Sequence, residues 1–406
     1  MKELNTRGSD WKRSMIRFLS AQTISLLGSS IVQYAIIWYI TLTTSSGKML
    51  TISTLCGFLP QILISLFAGV WIDRYDRRKM IMISDSVIAV STLLLAAAFF
   101  TGHKSNLLLF AVLAVRSAGT GIQTPAVHAV IPQIVPSEHF MRVNGIHSTL
   151  SSIMMFIAPA LSGAVLTAAS LEATLLIDVI TAVIGVGLTS TVYVAPYEKK
   201  ENGETSGFQE MKRGFSYLRE NSLVRRLLLF QLTVLFLISP SAFLTPLMVS
   251  RTFGQEVWRL TASEMTYSLG MVLGGILIAA WGGFKKKLNT TMTAGAAYGG
   301  LMIGLGTAPI FLIYLLCNTM IGITSPCYNA PLTVTVQEEV PSGMQGRVFS
   351  FMQIASSCAL PFGMAVFGPL ADVIRIQKLL TVSGTAVVLI SFAVWKLNYF
   401  DKRAGF

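Results

Sequence analysis

The apolar positions of this chain come in runs too long for the core of a soluble domain. Stretches rich in Leu, Ile, Val, Ala, Phe and Met alternate with short clusters holding Lys, Arg, Gly, Pro or Asn. Dividing the chain at those clusters predicts twelve helices, over 15–42, 49–71, 80–101, 106–126, 144–168, 172–194, 226–249, 260–283, 288–307, 309–331, 346–370 and 378–397. About 20 apolar residues at 1.5 Å rise cross the roughly 30 Å of bilayer hydrocarbon. The predicted fold class is therefore all-α integral membrane, with twelve transmembrane helices.

Composition agrees. With 53% hydrophobic and 12% charged residues, the 406-residue chain lacks the polar surface that a soluble globule needs. A net charge of +12 raises the question of nucleic acid, and the placement of the cations answers it. With the N-terminus inside, 24 of the 31 Lys and Arg residues fall in inner segments, six in outer loops, and Arg116 within a span. That is the asymmetry of a multi-pass protein of the bacterial cell membrane with both termini cytoplasmic, and it excludes a nucleic-acid partner. The basic head before the first run is read as the start of an uncleaved helix, because the run is too long for a signal sequence and no small-residue cleavage site follows it. Cys56, Cys317, Cys327 and Cys358 all fall in spans, as reduced packing residues, and no ligand spacing for a metal is present. No Gly-x-x-x-x-Gly-Lys-Ser/Thr loop occurs. The chain is read as no enzyme, with no cofactor, and its transport is not energised by its own ATP hydrolysis.

The pattern repeats. Pro136, Ser137, Arg142 and Val143 before the fifth span recur as Pro341, Ser342, Arg347 and Val348 before the eleventh. Trp71 with Arg77-Arg78-Lys79 after span two has a counterpart in Trp281 with Lys285-Lys286-Lys287 after span eight. Two six-helix bundles are the simplest account, 1–194 and 226–406, joined by a cytoplasmic linker over 195–225. Within that linker Phe208 to Glu220 reads as a short interfacial amphipathic helix.

Three motifs carry a family likeness. Gly69-Val70-Trp71-Ile72-Asp73-Arg74-Tyr75-Asp76-Arg77-Arg78-Lys79 resembles motif A of the major facilitator superfamily, and Arg116-Ser117-Ala118-Gly119-Thr120-Gly121 resembles its motif B. Ala158-Pro159-Ala160-Leu161-Ser162-Gly163 resembles motif C, the antiporter signature, with Ala158 and Ser162 where the family usually has Gly. The whole chain is similar to the drug:proton antiporter branch with twelve spans, and in particular to bacterial macrolide-efflux permeases. The resemblance implies the two-bundle fold, alternating access, and a role for Gly69, Asp73, Arg74 and Arg77 in a latch at the inner mouth.

From the residues themselves, Asp73 with Arg74 and Arg77 can form charge-assisted pairs, or the cations from Arg74 to Lys79 can serve as topology determinants facing anionic lipid, the reading taken for Arg78 and Lys79. Arg116 lies about 15 Å deep by helix rise, where an arginine costs about 3 kcal/mol, so it needs a partner or water. Asp178, about 9 Å deep in span six, is its candidate partner and the leading proton carrier. Glu264 in span eight reads either as a second proton group or as a solvated helix end, and Asp85 as part of the motif A charge network. Gln22, Gln33, Gln231, Asn318 and Gln353 suit inter-helix hydrogen bonds or a substrate cavity equally, to which Tyr34, Trp38 and Met154 are added as walls; His128, His139 and His147 read as solvated or capping groups. The expected function is proton-coupled efflux of amphipathic drugs such as macrolides, by a monomer whose partners are its small-molecule substrate, protons and membrane lipid. Two alternatives stand: export of a native metabolite such as a siderophore or lipid precursor, and a membrane partner subunit of a separate ATPase.

Overall fold

The computed structural model describes residues 3–194 and 221–396. All regular structure among them is helical: α1 (Glu3–Thr44), α2 (Gly47–Arg74), α3 (Arg77–Phe100), α4 (Asn106–Ile134), α5 (Phe140–Ala168), α6 (Leu171–Ser190), α7 (Ser222–Phe243), α8 (Thr245–Thr252), α9 (Val257–Trp281), α10 (Lys287–Thr307), α11 (Phe311–Glu339), α12 (Ser342–Leu370) and α13 (Ile376–Lys396). Most of the linker and the expected interfacial helix at Phe208 to Glu220 lie outside the described residues. At the linker's end, Asn221 Oδ1 accepts the Val224 N–H at 3.1 Å and so caps α7.

Helices α7 and α8 together make one span, Ser222–Thr252. They are broken at Leu244, between Pro240 inside α7 and Pro246 in the first turn of α8. The described residues thus hold twelve membrane-length segments, and eleven of them are long and apolar enough to cross on their own composition. The exception is α10, whose sequence mixes Asn289, four threonines and five glycines with its apolar residues. Its polarity is covered by neighbours: a Cβ on Gly299 would sit 2.6 Å from the Gly384 carbonyl oxygen of α13, and one on Gly306 would sit 2.7 Å from that of Gln377. Small residues let the two backbones touch, which is how helices associate where lipid gives no hydrophobic drive.

The chain forms two compact units, Met1–Thr43 with Ile52–Glu201, and Thr44–Thr51 with Asn202–Phe406. In the first, α3 packs on α4 and α6, and Phe18, Ala68, Ile81, Val130 and Ile131 centre a dry core. In the second, α9 packs on α11, and α10 on α11 and α13, around Val224, Leu227, Met292, Leu332, Val336 and Val387. Along α9 and α11 the approach is backbone to backbone: a Cβ on Gly270 would lie 2.1 Å from the Thr319 carbonyl oxygen, and one on Gly274 2.3 Å from that of Ile323.

The second unit includes the first turn of α2, held there by Asp372. Its carboxylate accepts the Gly47 N–H at 2.6 Å, the Lys48 N–H and the Ser46 hydroxyl at 2.9 Å each, and a guanidinium N–H of Arg251 at 2.9 Å. Arg251 also donates to the carbonyls of Ala371, at 2.6 Å, and of Ser45. Partial burial pushes the Asp372 carboxyl up, but the two backbone N–H groups, Ser46 and Arg251 outweigh it and hold the acid below its ordinary 3.8. A carboxyl with a depressed folded value adds stability that is complete above the unfolded value and is lost as pH falls through the folded one. Asp372→Asn is thus expected to cost about 1–2 kcal/mol equally at pH 8 and pH 6, with the cost vanishing only below about pH 4. Thermal unfolding of both proteins across that range is the check, and a cost that varies between pH 6 and pH 8 contradicts it.

Candidate functional site

Helices α1, α3, α4 and α6 build a polar seam inside the first unit. The glycines of the Arg116-to-Gly121 motif seat α4 in it. A Cβ on Gly121 would meet the Gln61 carbonyl oxygen of α2 at 2.8 Å, and one on Gly119 would meet Ile88 of α3 at 2.7 Å. With α4 pressed against both neighbours, Arg116 three residues earlier points inward and is 4% exposed.

Arg116 pairs with Asp178, which is 1% exposed. Arg116 Nη1 donates to Asp178 Oδ2 and, at 2.5 Å, to the Thr92 hydroxyl; Nη2 donates to the Ser29 carbonyl at 3.1 Å. The other carboxylate oxygen, Oδ1, accepts the Ser29 hydroxyl at 2.9 Å, while Thr92 Oγ1 stands 3.0 Å from Oδ2. Every oxygen of Asp178 therefore has a donor, and its charge is matched by a guanidinium.

One turn along α1 from Ser29, a different arrangement surrounds Asp85. This acid is 2% exposed, and its Oδ1 accepts the Ser25 hydroxyl at 2.8 Å and the Gln123 amide at 2.7 Å. Its Oδ2 is buried without a hydrogen-bond partner, and no described cation pairs with it. Asp85 thus sits with neutral groups inside the bundle rather than with the arginines of the hinge. Gln22, on α1 with Ser25, is also buried with its Nε2 unpartnered.

At the hinge, Asp76 Oδ1 accepts the Lys79 N–H at 3.2 Å and caps α3. Arg77 reaches the Ala129 carbonyl of α4 at 2.8 Å. Arg78, read from sequence as a topology determinant, caps the C-terminal end of α6 through the carbonyls of Ser190, at 2.7 Å, and Val192, at 2.8 Å. Arg74 is exposed; Gly69 and Asp73 lie in α2, and their surroundings are outside what is described. In the motif C segment, Pro159 and Gly163 are buried in α5 and the intervening Ser162 hydroxyl donates to the Ile31 carbonyl of α1 at 3.0 Å.

In the second unit Glu264, half-buried, lines a partly open cavity of about 100 Å³ with Ser241, Thr245, Ser263, Tyr267, Tyr298 and Asn318. It is a polar niche rather than a solvated helix end. The Asn318 amide donates to the Ser263 carbonyl at 2.6 Å, so part of its capacity goes to joining α11 to α9. Gln231 is on α7 with Oε1 buried and unpartnered, and Gln353 on α12 is exposed. Trp38, read as a cavity wall, is wholly buried and packs instead against Tyr34 at 5.6 Å between ring centroids. Met154 is buried on α5, and Gln33 faces α2 near Gly57. Sequence reasoning missed Ser25, Ser29, Thr92 and Gln123; the one available signal was Ser25 and Ser29, one turn apart within the predicted span 15–42, which carries no acid.

The sequence pattern of the Major Facilitator Superfamily matches residues 18–364. The chain belongs to that superfamily. Among its members, Macrolide efflux protein A of Streptococcus pyogenes is 30% identical over 399 residues, covering 97% of this chain and 98% of that protein. The Staphyloferrin A transporter of Staphylococcus aureus (strain NCTC 8325 / PS 47) is 21% identical over 384 residues, covering 94% and 95%. Among solved structures, the crystal structure of nucleoside transporter NupG superposes with a TM-score of 0.68 at 14% identity, covering 97% of this chain and 100% of that one. The superfamily is one of multi-span membrane transporters of small molecules, so this chain is a transporter and not an enzyme.

Proposed function

We propose that this transporter exports amphipathic drugs such as macrolides in exchange for protons, by alternating access, from a bacterial cell membrane in which both its termini are cytoplasmic. The likeness to Macrolide efflux protein A along nearly the full length of both chains supports the cargo. Asp85 supports the coupling. Adding a proton to Asp178 would strand the charge of Arg116, whereas adding one to Asp85 removes a buried charge that no cation among the described residues matches. Asp85 is therefore the favoured carrier of the first unit and Arg116–Asp178 the fixed pair beside it, with Glu264 in its polar niche the corresponding acid of the second. A membrane potential of 100 mV is worth about 2.3 kcal/mol per charge, nearly a fiftyfold gradient for one proton against one neutral molecule.

The deciding experiment is macrolide uptake into proteoliposomes under an imposed pH gradient. Asp85→Asn is expected to lower gradient-driven accumulation at least tenfold while leaving exchange of labelled for unlabelled macrolide intact. Accumulation at the wild-type level removes Asp85 from the mechanism. A second reading, export of a native siderophore, draws on the likeness to the Staphyloferrin A transporter. In that reading Arg116 receives an anionic cargo, and its pairing with Asp178 counts against it; siderophore uptake by the same vesicles, with macrolide excluded, would favour it.

A further inference from the structure

Each unit carries a groove outside the polar sites described above, with cations at one end and apolar side chains beside them. In the first unit α1 and α5 enclose about 630 Å³. Its walls are apolar, with Met15, Leu19, Ile24, Ile146 and Leu150 running inward, and its head holds Lys12 and Arg142. Beside them Trp11 stacks on His139 at 4.8 Å, and Lys12 Nζ lies 5.9 Å from the Trp11 ring centre. In the second unit α10 and α13 bound about 680 Å³, with Leu389 and Phe392 as apolar wall and Lys286, Lys396 and Trp395 at the head. Among the described residues none of these four cations pairs with a carboxylate.

From Lys12 to Ile24 is twelve residues, or about 18 Å of helix, close to the depth of one leaflet, half of roughly 30 Å. The positive-inside sorting puts all four cations on the cytoplasmic side, where tryptophan belongs at the headgroup level. A ligand that satisfies both ends of the first groove has an apolar chain one leaflet long and an anionic head; the second, whose wall from Leu389 to Lys396 is only about 10 Å long by helix rise, takes the same head and the first part of such a chain. A cationic amphipathic cargo fits the walls but is repelled by the paired cations. We infer that each groove is a binding site for one anionic phospholipid of the inner leaflet, its phosphate held between Lys12 and Arg142 in the first unit and between Lys286 and Lys396 in the second.

This inference rests on the cytoplasmic placement of the termini proposed above but not on the exported cargo or the coupling ion, since its readout is lipid binding. Detergent-purified protein is titrated with dioleoylphosphatidylglycerol or dioleoylphosphatidylcholine, and bound lipid is counted by native mass spectrometry. Two tightly held phosphatidylglycerol molecules are expected, and no phosphatidylcholine at the same concentration. Lys12→Gln/Arg142→Gln should remove one, weakening that site about thirtyfold, the equivalent of two cationic contacts; Lys286→Gln/Lys396→Gln should remove the other. Thr23→Trp, which fills the first groove and leaves its charges in place, should also remove one. Arg375→Gln/Lys378→Gln, an equal loss of charge in an outer segment, should change nothing. Equal binding of the two lipids, lipid loss in that outer control, lipid retained in the charge-removed or filled variants, or displacement by millimolar glycerol phosphate would each overturn it, the last by making the ligand a free phosphate.

Discussion

Replacing Arg116 by leucine is expected to destabilise the protein by about 3–5 kcal/mol, because it leaves the Asp178 carboxylate buried with hydroxyl donors alone. Asp178→Leu should cost a similar amount by stranding the guanidinium. The double variant Arg116→Leu/Asp178→Leu should recover most of the loss, since removing both charges also removes the need to keep them dry. A thermal-unfolding double-mutant cycle in detergent measures the coupling directly. If the two single losses simply add in the double variant, the pair does not act as a unit and its place in the proposed site is lost.

The second large effect lies in the other unit. Gly270→Val places a branched side chain where even a Cβ would be 2.1 Å from the Thr319 carbonyl and 2.9 Å from the Gly322 Cα. Both obstacles are backbone, so α9 and α11 must separate, at a cost of about 3 kcal/mol or more. Gly275→Val, five residues on with nothing within 4 Å of its Cβ position, serves as the control and should change stability by under about 1 kcal/mol. Equal unfolding temperatures for the two variants would show that the α9–α11 contact does not limit stability.

Much of this was legible in the amino acids. Eleven of the twelve segments follow from apolar length alone, and the twelfth, α10, from the breaks that flank it. The pairing of Arg116 with Asp178 follows from scarcity: a guanidinium cannot shed its proton, few acids lie within spans, and only Asp178 was at a matching depth. Asp85 was harder to place, because a carboxylate held by a serine and an amide leaves no complementary charge to search for. Proximity to the hinge in sequence suggested the arginines; helix rotation turned the side chain to Ser25 and Gln123 instead. The groove heads were hidden for a related reason, since Lys12 and Arg142 meet only when α1 and α5 lie side by side. Trp38 looked like a cavity wall because amphipathic aromatics often are, and whether one faces a crevice or a neighbour depends on packing that no local pattern records.

Helix α10 bears on how the protein is made. A segment holding Asn289, four threonines and five glycines gains little from lipid when it leaves the ribosome, so the insertion machinery has slight reason to release it sideways alone. Its glycines find their complement in Gln377 and Gly384, which are synthesised about 80 residues later. Biogenesis is therefore expected to depend on delayed company: α10 waits at the translocon, or slips back out, until α11 and α13 arrive, and a chain cut short before α13 leaves its threonines and glycines uncovered for quality-control proteases to find.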